Sequence, residues 1–139
     1  MSDALARPMI AMMALSLVVW LAMYLRRLRY LFKHGIEAQD LATPEQRSVV
    51  LSEPVNRPSN NFSNLFELPV IFYAICLLLL VLRESDPLYV NLAWSYFVLR
   101  AAHSAIHCTV NIVTLRFAAY LLSSIVLWIM LGRLALQHF

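Results

Sequence analysis

Three groups of polar residues stand inside otherwise apolar stretches of this sequence, and helical spacing gathers each group onto one face. After Pro87, the residues Tyr96, Arg100, His103, His107 and Asn111 fall within about 80° of arc at 100° per residue. Upstream, Asn60, Asn64 and Glu67 span about 60° by the same arithmetic, and the next residue on that face, Ile71, is apolar. Downstream, Arg116 is followed one turn later by Tyr120. Charged groups within a membrane helix cost a few kcal/mol each, so by default they mark function. Glu67 could neutralise Arg100 as an intramembrane ion pair, or it could belong with Arg100 to a binding site. His103 and His107, four residues apart and followed by Cys108, invite a metal reading. Ser104 stands where an HExxH motif carries its glutamate, and no third ligand is evident, so no metal site is assigned.

These residues need rigid elements to hold them, and the composition says which. The chain has 139 residues, of which 61% are hydrophobic and 14% charged, and its mean hydropathy is +0.68. A soluble domain is about half apolar and about a quarter charged, so this chain belongs with membrane proteins. Apolar runs long enough to span a bilayer predict four helices, at about 9–32, 63–82, 88–111 and 116–136, in one membrane domain covering 1–139. A polar segment of about 33–62 joins the first two. Within it, Thr43-Pro44-Glu45-Gln46 has the order of an N-cap, a first-turn proline and a capping box, which predicts a short surface helix from Pro44 to Leu51. Short turns elsewhere give an all-α, up-and-down bundle of four transmembrane helices. Period-two alternation is absent, which excludes a barrel. With only two glycines, Gly35 and Gly132, no phosphate-cradling loop can be built. Cys76 and Cys108 lie in apolar stretches and read as packing residues.

The basic residues orient the bundle. Arg26, Arg27, Arg29, Lys33, Arg47, Arg57 and Arg116 lie on the side of the first and third connections, against Arg7, Arg83 and Arg133 on the other. That bias puts those connections in the cytoplasm and both termini outside it. The basic charge, a formal +3 at pH 7, thus reads as topology and not as a nucleic-acid surface. The strongly polar intramembrane groups then run from mid-membrane, at Arg100, to the cytoplasmic side. This is the pattern of a one-sided pocket; a channel or proton relay needs polar residues at all depths.

Asn64-Leu65-Phe66-Glu67 with Pro69 behind it, Arg100-x-x-His103, and Arg116 with Tyr120, set in four spans with a basic loop, resemble the MAPEG family. Its members are membrane-associated proteins of eicosanoid and glutathione metabolism. The resemblance runs over essentially the whole chain. It implies a homotrimer with glutathione as cosubstrate, lying in a cytoplasm-facing cleft between subunits. By position, Asn64 and Glu67 match residues that hold the glutathione backbone. Arg100, His103 and His107 match an arginine, a histidine and a tyrosine of the third helix. Arg116 matches the arginine that stabilises the glutathione thiolate, Tyr120 a tyrosine packed on the tripeptide, and one of Arg26, Arg27 or Arg29 a helix-1 arginine. Asn60 and Ser63 stand near where family enzymes carry arginines that grip glutathione carboxylates, and His107 stands where tyrosine is common.

The function implied is a glutathione-dependent transferase or peroxidase acting on lipophilic electrophiles that arrive from the bilayer. The alternative from another class is a non-catalytic membrane protein of the same fold that binds a lipid headgroup or a protein partner. Small size and the lack of a targeting segment point to a bacterial inner membrane.

Overall fold

The computed structural model describes residues 4–139. The first apolar run forms α1, Ala6–His34. It ends at Gly35, whose φ of 61° lets its amide turn back onto the Leu31 carbonyl, a left-handed position that glycine takes without steric cost. A 3-10 turn, Ala38–Leu41, leads to α2, Pro44–Val50. Thr43 caps α2 as its sequence predicts: Gln46 N donates to Thr43 Oγ1 at 3.2 Å, and Thr43 N donates to Gln46 Oε1 at 3.0 Å. Helix α3, Glu53–Asn64, and helix α4, Leu68–Leu82, follow. Then come α5, Pro87–Cys108, and α6, Val113–His138. No strand occurs among the described residues.

Two features differ from the sequence expectation. The polar segment 33–62 is largely helical, because α2 and α3 both lie in it. The helix expected from residue 63 to 82 is interrupted at Leu65–Glu67. Pro69 is the physical reason: it has no amide hydrogen, and its ring excludes the carbonyl four residues back, that of Leu65. The chain therefore ends one helix before the proline and starts another with Pro69 in its first turn, where a missing donor costs nothing.

Helix α5 is the centre of the packing, touching α6, α1 and α3, while α1 also packs on α3 and α4. Its apolar contacts include Tyr96 stacked on Phe72 of α4, with ring centroids 4.6 Å apart. Met12, Leu79, Ala93, Leu127 and Met130 complete a buried core drawn from α1, α4, α5 and α6. At one end, Asp86 caps α5 by accepting from Tyr89 N at 3.0 Å and pairs with Arg133 of α6 at 2.5 Å. The Arg133 guanidinium also lies 4.4 Å from the Tyr89 ring centroid. At the other end, Arg26 of α1 donates to the Cys108 carbonyl at 2.7 Å and to the Pro54 carbonyl at 3.3 Å, which ties α1 to the end of α5 and the start of α3.

The outer faces are apolar. Ile10, Leu17, Val18, Leu77, Val81, Val98 and Trp128 are all exposed. Three stretches, Ala6–His34, Glu53–Leu82 and Val113–His138, are long and apolar enough to cross a membrane. Helix α5 has 22 residues and carries the polar stripe.

Candidate functional site

The break between α3 and α4 creates the first element of the site. Arg100, fully buried on α5, donates through Nη2 to the main-chain carbonyl of Asn64 at 2.6 Å. Its guanidinium carbon lies 5.3 Å from the centroid of the Tyr120 ring on α6. Arg100 Nε and Nη1 are shut from solvent and have no hydrogen-bond partner among the described residues. The ion pairs among the described residues are Glu53–Arg57, Asp86–Arg133 and Glu84–His138, so no carboxylate among them is in direct contact with Arg100, and Glu67 acts on it only at longer range. A buried guanidinium without a carboxylate is costly, and donors left free there call for an anionic acceptor.

One and two turns further along α5 stand His103 and His107, both buried, with ring centroids 5.5 Å apart in an edge-on arrangement. His103 Nδ1 lies 3.0 Å from the Arg116 carbonyl. A carbonyl can only accept, so Nδ1 carries the proton, and in the neutral ring Nε2 is left as an acceptor. His103 Nε2 and His107 Nδ1 are buried without a partner among the described residues, as is the Tyr96 hydroxyl.

The turn between α5 and α6 places Arg116. Asn111 adopts φ 51°, a left-handed conformation that asparagine tolerates better than most residues, and its amide closes on the Ile106 carbonyl at 2.8 Å. Its side chain then works in two directions. Oδ1 accepts from Arg116 Nη1 at 2.7 Å, and Nδ2 donates to Glu53 Oε1 at 2.8 Å. Glu53 in turn pairs with Arg57 at 2.7 Å, and Arg57 reaches the Thr109 carbonyl. Arg116 is thus held at the mouth of the site by a network that joins the start of α3 to the α5–α6 turn.

These side chains line a cavity of about 400 Å³ whose wall is Asn60, Asn64, His103, His107, Val113, Arg116, Phe117 and Tyr120. Six of the residues singled out from sequence lie on it: Asn60, Asn64, His103, His107, Arg116 and Tyr120. Arg100 sits against two of these, Asn64 and Tyr120. Glu67 is exposed at the N-cap of α4 and is not part of this wall. Arg29 is exposed, Arg26 is committed to the Cys108 and Pro54 carbonyls, and Arg27 lines a different cavity. Val113 and Phe117 are wall residues that the polar pattern passed over. Their signal is periodicity: 113, 116, 117 and 120 follow one face of a helix. Asn61 was also missed; fully buried, it accepts from Ser104 Oγ at 3.3 Å and donates to Cys108 Sγ at 3.5 Å. It lies about 100° round the helix from Asn60 and so off the polar face that the spacing picked out. No group of three or more His, Cys, Asp or Glu residues that could hold a metal ion occurs among the described residues.

No curated protein and no solved structure matches this chain. The sequence model of the MAPEG family matches residues 5–136, a span that includes every residue of the cavity wall. The chain, with its three apolar membrane-length stretches, is therefore an integral membrane protein of the MAPEG family, the family of eicosanoid and glutathione metabolism.

Proposed function

We propose that the protein is a glutathione-dependent transferase or peroxidase for lipophilic electrophiles, working as a homotrimer with its cavity facing the cytoplasm between subunits. The observation that carries this reading is the buried Arg100 guanidinium with two free donors beside a cavity that also holds Arg116. A volume of about 400 Å³ suits a small ligand, since such pockets run from about 300 to 1,000 Å³. Glutathione has two carboxylates, an amine and a thiol, and free cationic donors fit the carboxylates. Bound there, it supplies a thiol whose ordinary pKa is about 8.5.

The residues of this chain have distinct tasks under that reading. Arg116, fixed by Asn111, sets a cation where a thiolate is favoured over a thiol; each unit of lowering raises the reactive fraction roughly tenfold near neutral pH. Arg100 and Asn64 hold a polar end of the ligand, and Tyr120 packs against it. Glu67 at the helix break, with the exposed Arg29 from an adjacent subunit, completes the grip on glutathione. Asn60 and Ser63, where arginines are usual, make the hold on carboxylates weaker than in arginine-bearing relatives.

Helix α5 serves as the fourth span. Its 22 residues reach about 33 Å at about 1.5 Å per residue, enough to cross a hydrocarbon core of about 30 Å. Its polar stripe is turned inward, with Arg100, His103 and His107 all buried, so lipid does not meet it. The Lys and Arg bias supports an orientation with both termini outside the cytoplasm, and a bacterial inner membrane is part of the same reading.

The experiment is a thermal shift of detergent-purified protein with millimolar glutathione, for wild type, Arg116→Ala and Glu67→Ala. Stabilisation of wild type that both variants lose is expected. No stabilisation of wild type sinks the glutathione reading and favours a non-catalytic membrane protein whose cavity takes a lipid headgroup or a partner. Detergent-corrected light scattering should give three chains per particle, and a stable monomer would contradict the between-subunit cleft.

A further inference from the structure

A second cavity, of about 240 Å³, is walled by α1, α2 and α3, with Arg27 and Arg47 both on its surface. Asn60 belongs to this cavity as well as to the first, so the two are neighbours with separate cations. The rest of the wall is neutral, including Asn56, Ser59 and Ser63, and it holds no aspartate or glutamate. Arg27 donates through Nη2 to Ser59 Oγ at 3.3 Å, while its Nε is shut from solvent with no partner among the described residues. Arg47 donates through Nε to the Thr43 carbonyl at 3.4 Å. Neither arginine takes part in an ion pair among the described residues.

Two like charges that converge on one small cavity repel each other, and an anion between them reverses the sign of that interaction. Guanidinium forks match the oxygens of a phosphate in particular. The position along the chain gives the depth. The apolar run of α1 ends at Leu25, and Arg26 and Arg27 open its polar continuation. Val49, which follows Ser48 of the cavity wall, is 86% exposed, and Phe32, further along α1, is 84% exposed. Large apolar side chains held outward beside arginines suit the boundary between headgroups and acyl chains. We propose that this cavity is a phosphate-binding site at headgroup depth, taking the phosphate of an anionic phospholipid at the membrane surface.

The test is the thermal stability of the full-length protein in neutral detergent. It is titrated in separate arms with phosphatidylglycerol, phosphatidylcholine and inorganic phosphate, for wild type, Arg47→Gln and Ser63→Asp. Phosphatidylglycerol should raise Tm and phosphatidylcholine should not. Arg47→Gln should weaken the effect roughly fivefold, as expected for one basic residue at an anionic surface. Ser63→Asp keeps both arginines and adds a competing carboxylate to the wall of the same cavity, and it should abolish the effect; circular dichroism checks that each variant is folded. A rise with phosphatidylglycerol alone assigns a lipid-borne phosphate, and a rise with inorganic phosphate as well assigns the phosphate group itself. No rise in either arm, or a rise that both variants leave intact, overturns the proposal.

Discussion

Arg100 of α5 and Asn64 of α3 meet through a main-chain acceptor: the guanidinium donates to the Asn64 carbonyl across 2.6 Å. That carbonyl lies at the end of a helix, where it has no partner within its own segment, and Pro69 is the residue that stops the helix there. A proline five residues beyond the last α3 residue of the cavity wall thus frees the acceptor for the one fully buried charge among the described residues.

Pro69→Ala tests this link. The substitution removes a residue that opposes a continuous helix by about 3 kcal/mol, and the amide of Leu68 then competes with Arg100 for the Asn64 carbonyl. A hydrogen bond to a charged group is worth about 1.5–3 kcal/mol, so the two effects nearly offset in the ligand-free protein. We expect little change in Tm without ligand and a reduced Tm shift with glutathione. An unchanged glutathione shift would show that the break does not depend on Pro69.

Asn111→Gly separates the backbone role of Asn111 from its side-chain role. Glycine takes φ 51° freely, so the turn survives while the hydrogen bond to Arg116 is lost. Stability should be nearly kept, and glutathione-dependent turnover should fall about tenfold, in line with a lost bond to a charged group. Arg116→Ala should lower turnover further. Equal turnover in Asn111→Gly and wild type would mean that Arg116 needs no positioning.

The His103 tautomer is open to direct measurement. With Nδ1 facing the Arg116 carbonyl, nitrogen-15 spectra of histidine-labelled protein at pH 7 should show one ring protonated at Nδ1 and free at Nε2. An Nε2-protonated ring at this position would contradict the contact.

Asp86, in the turn before α5, contributes to the acid limb of stability alongside Glu45 and Glu53, whose carboxyls are also held low. The Arg133 guanidinium, and then the Tyr89 amide, hold its carboxyl below the ordinary aspartate value of 3.8. A folded-state pKa below the unfolded one stabilises the protein above the unfolded value, and that contribution disappears as pH falls through the folded value. Tm should therefore carry no Asp86 contribution to its pH dependence between about 7 and 5, and should decline below about pH 4. Asp86→Asn should flatten that decline, and Asp86→Ala should also cost about 1 kcal/mol for the lost cap of α5. A wild-type acid limb unchanged in Asp86→Asn would remove Asp86 from the explanation.

What was legible in sequence was local. Thr43 to Gln46 shows its cap, because capping depends on residues three apart. The stripe of Tyr96, Arg100, His103 and His107 shows its inward face, because polar groups on an apolar helix must avoid lipid. The asparagine and arginine elements carried the family resemblance, and the family match covers residues 5–136.

The tertiary structure decided the partners. Sequence offered Glu67 as a charge partner of Arg100, and the fold keeps it at longer range while the Asn64 carbonyl makes the direct contact, because a backbone acceptor has no residue type to announce it. Sequence placed Arg26, Arg27 and Arg29 as one basic cluster, and the fold sends them to three places: the end of α5, a second cavity, and the surface. Three arginines within four positions of a helix point in different directions at about 100° per residue, and only the packing of α1 against α3 and α5 determines what each one meets.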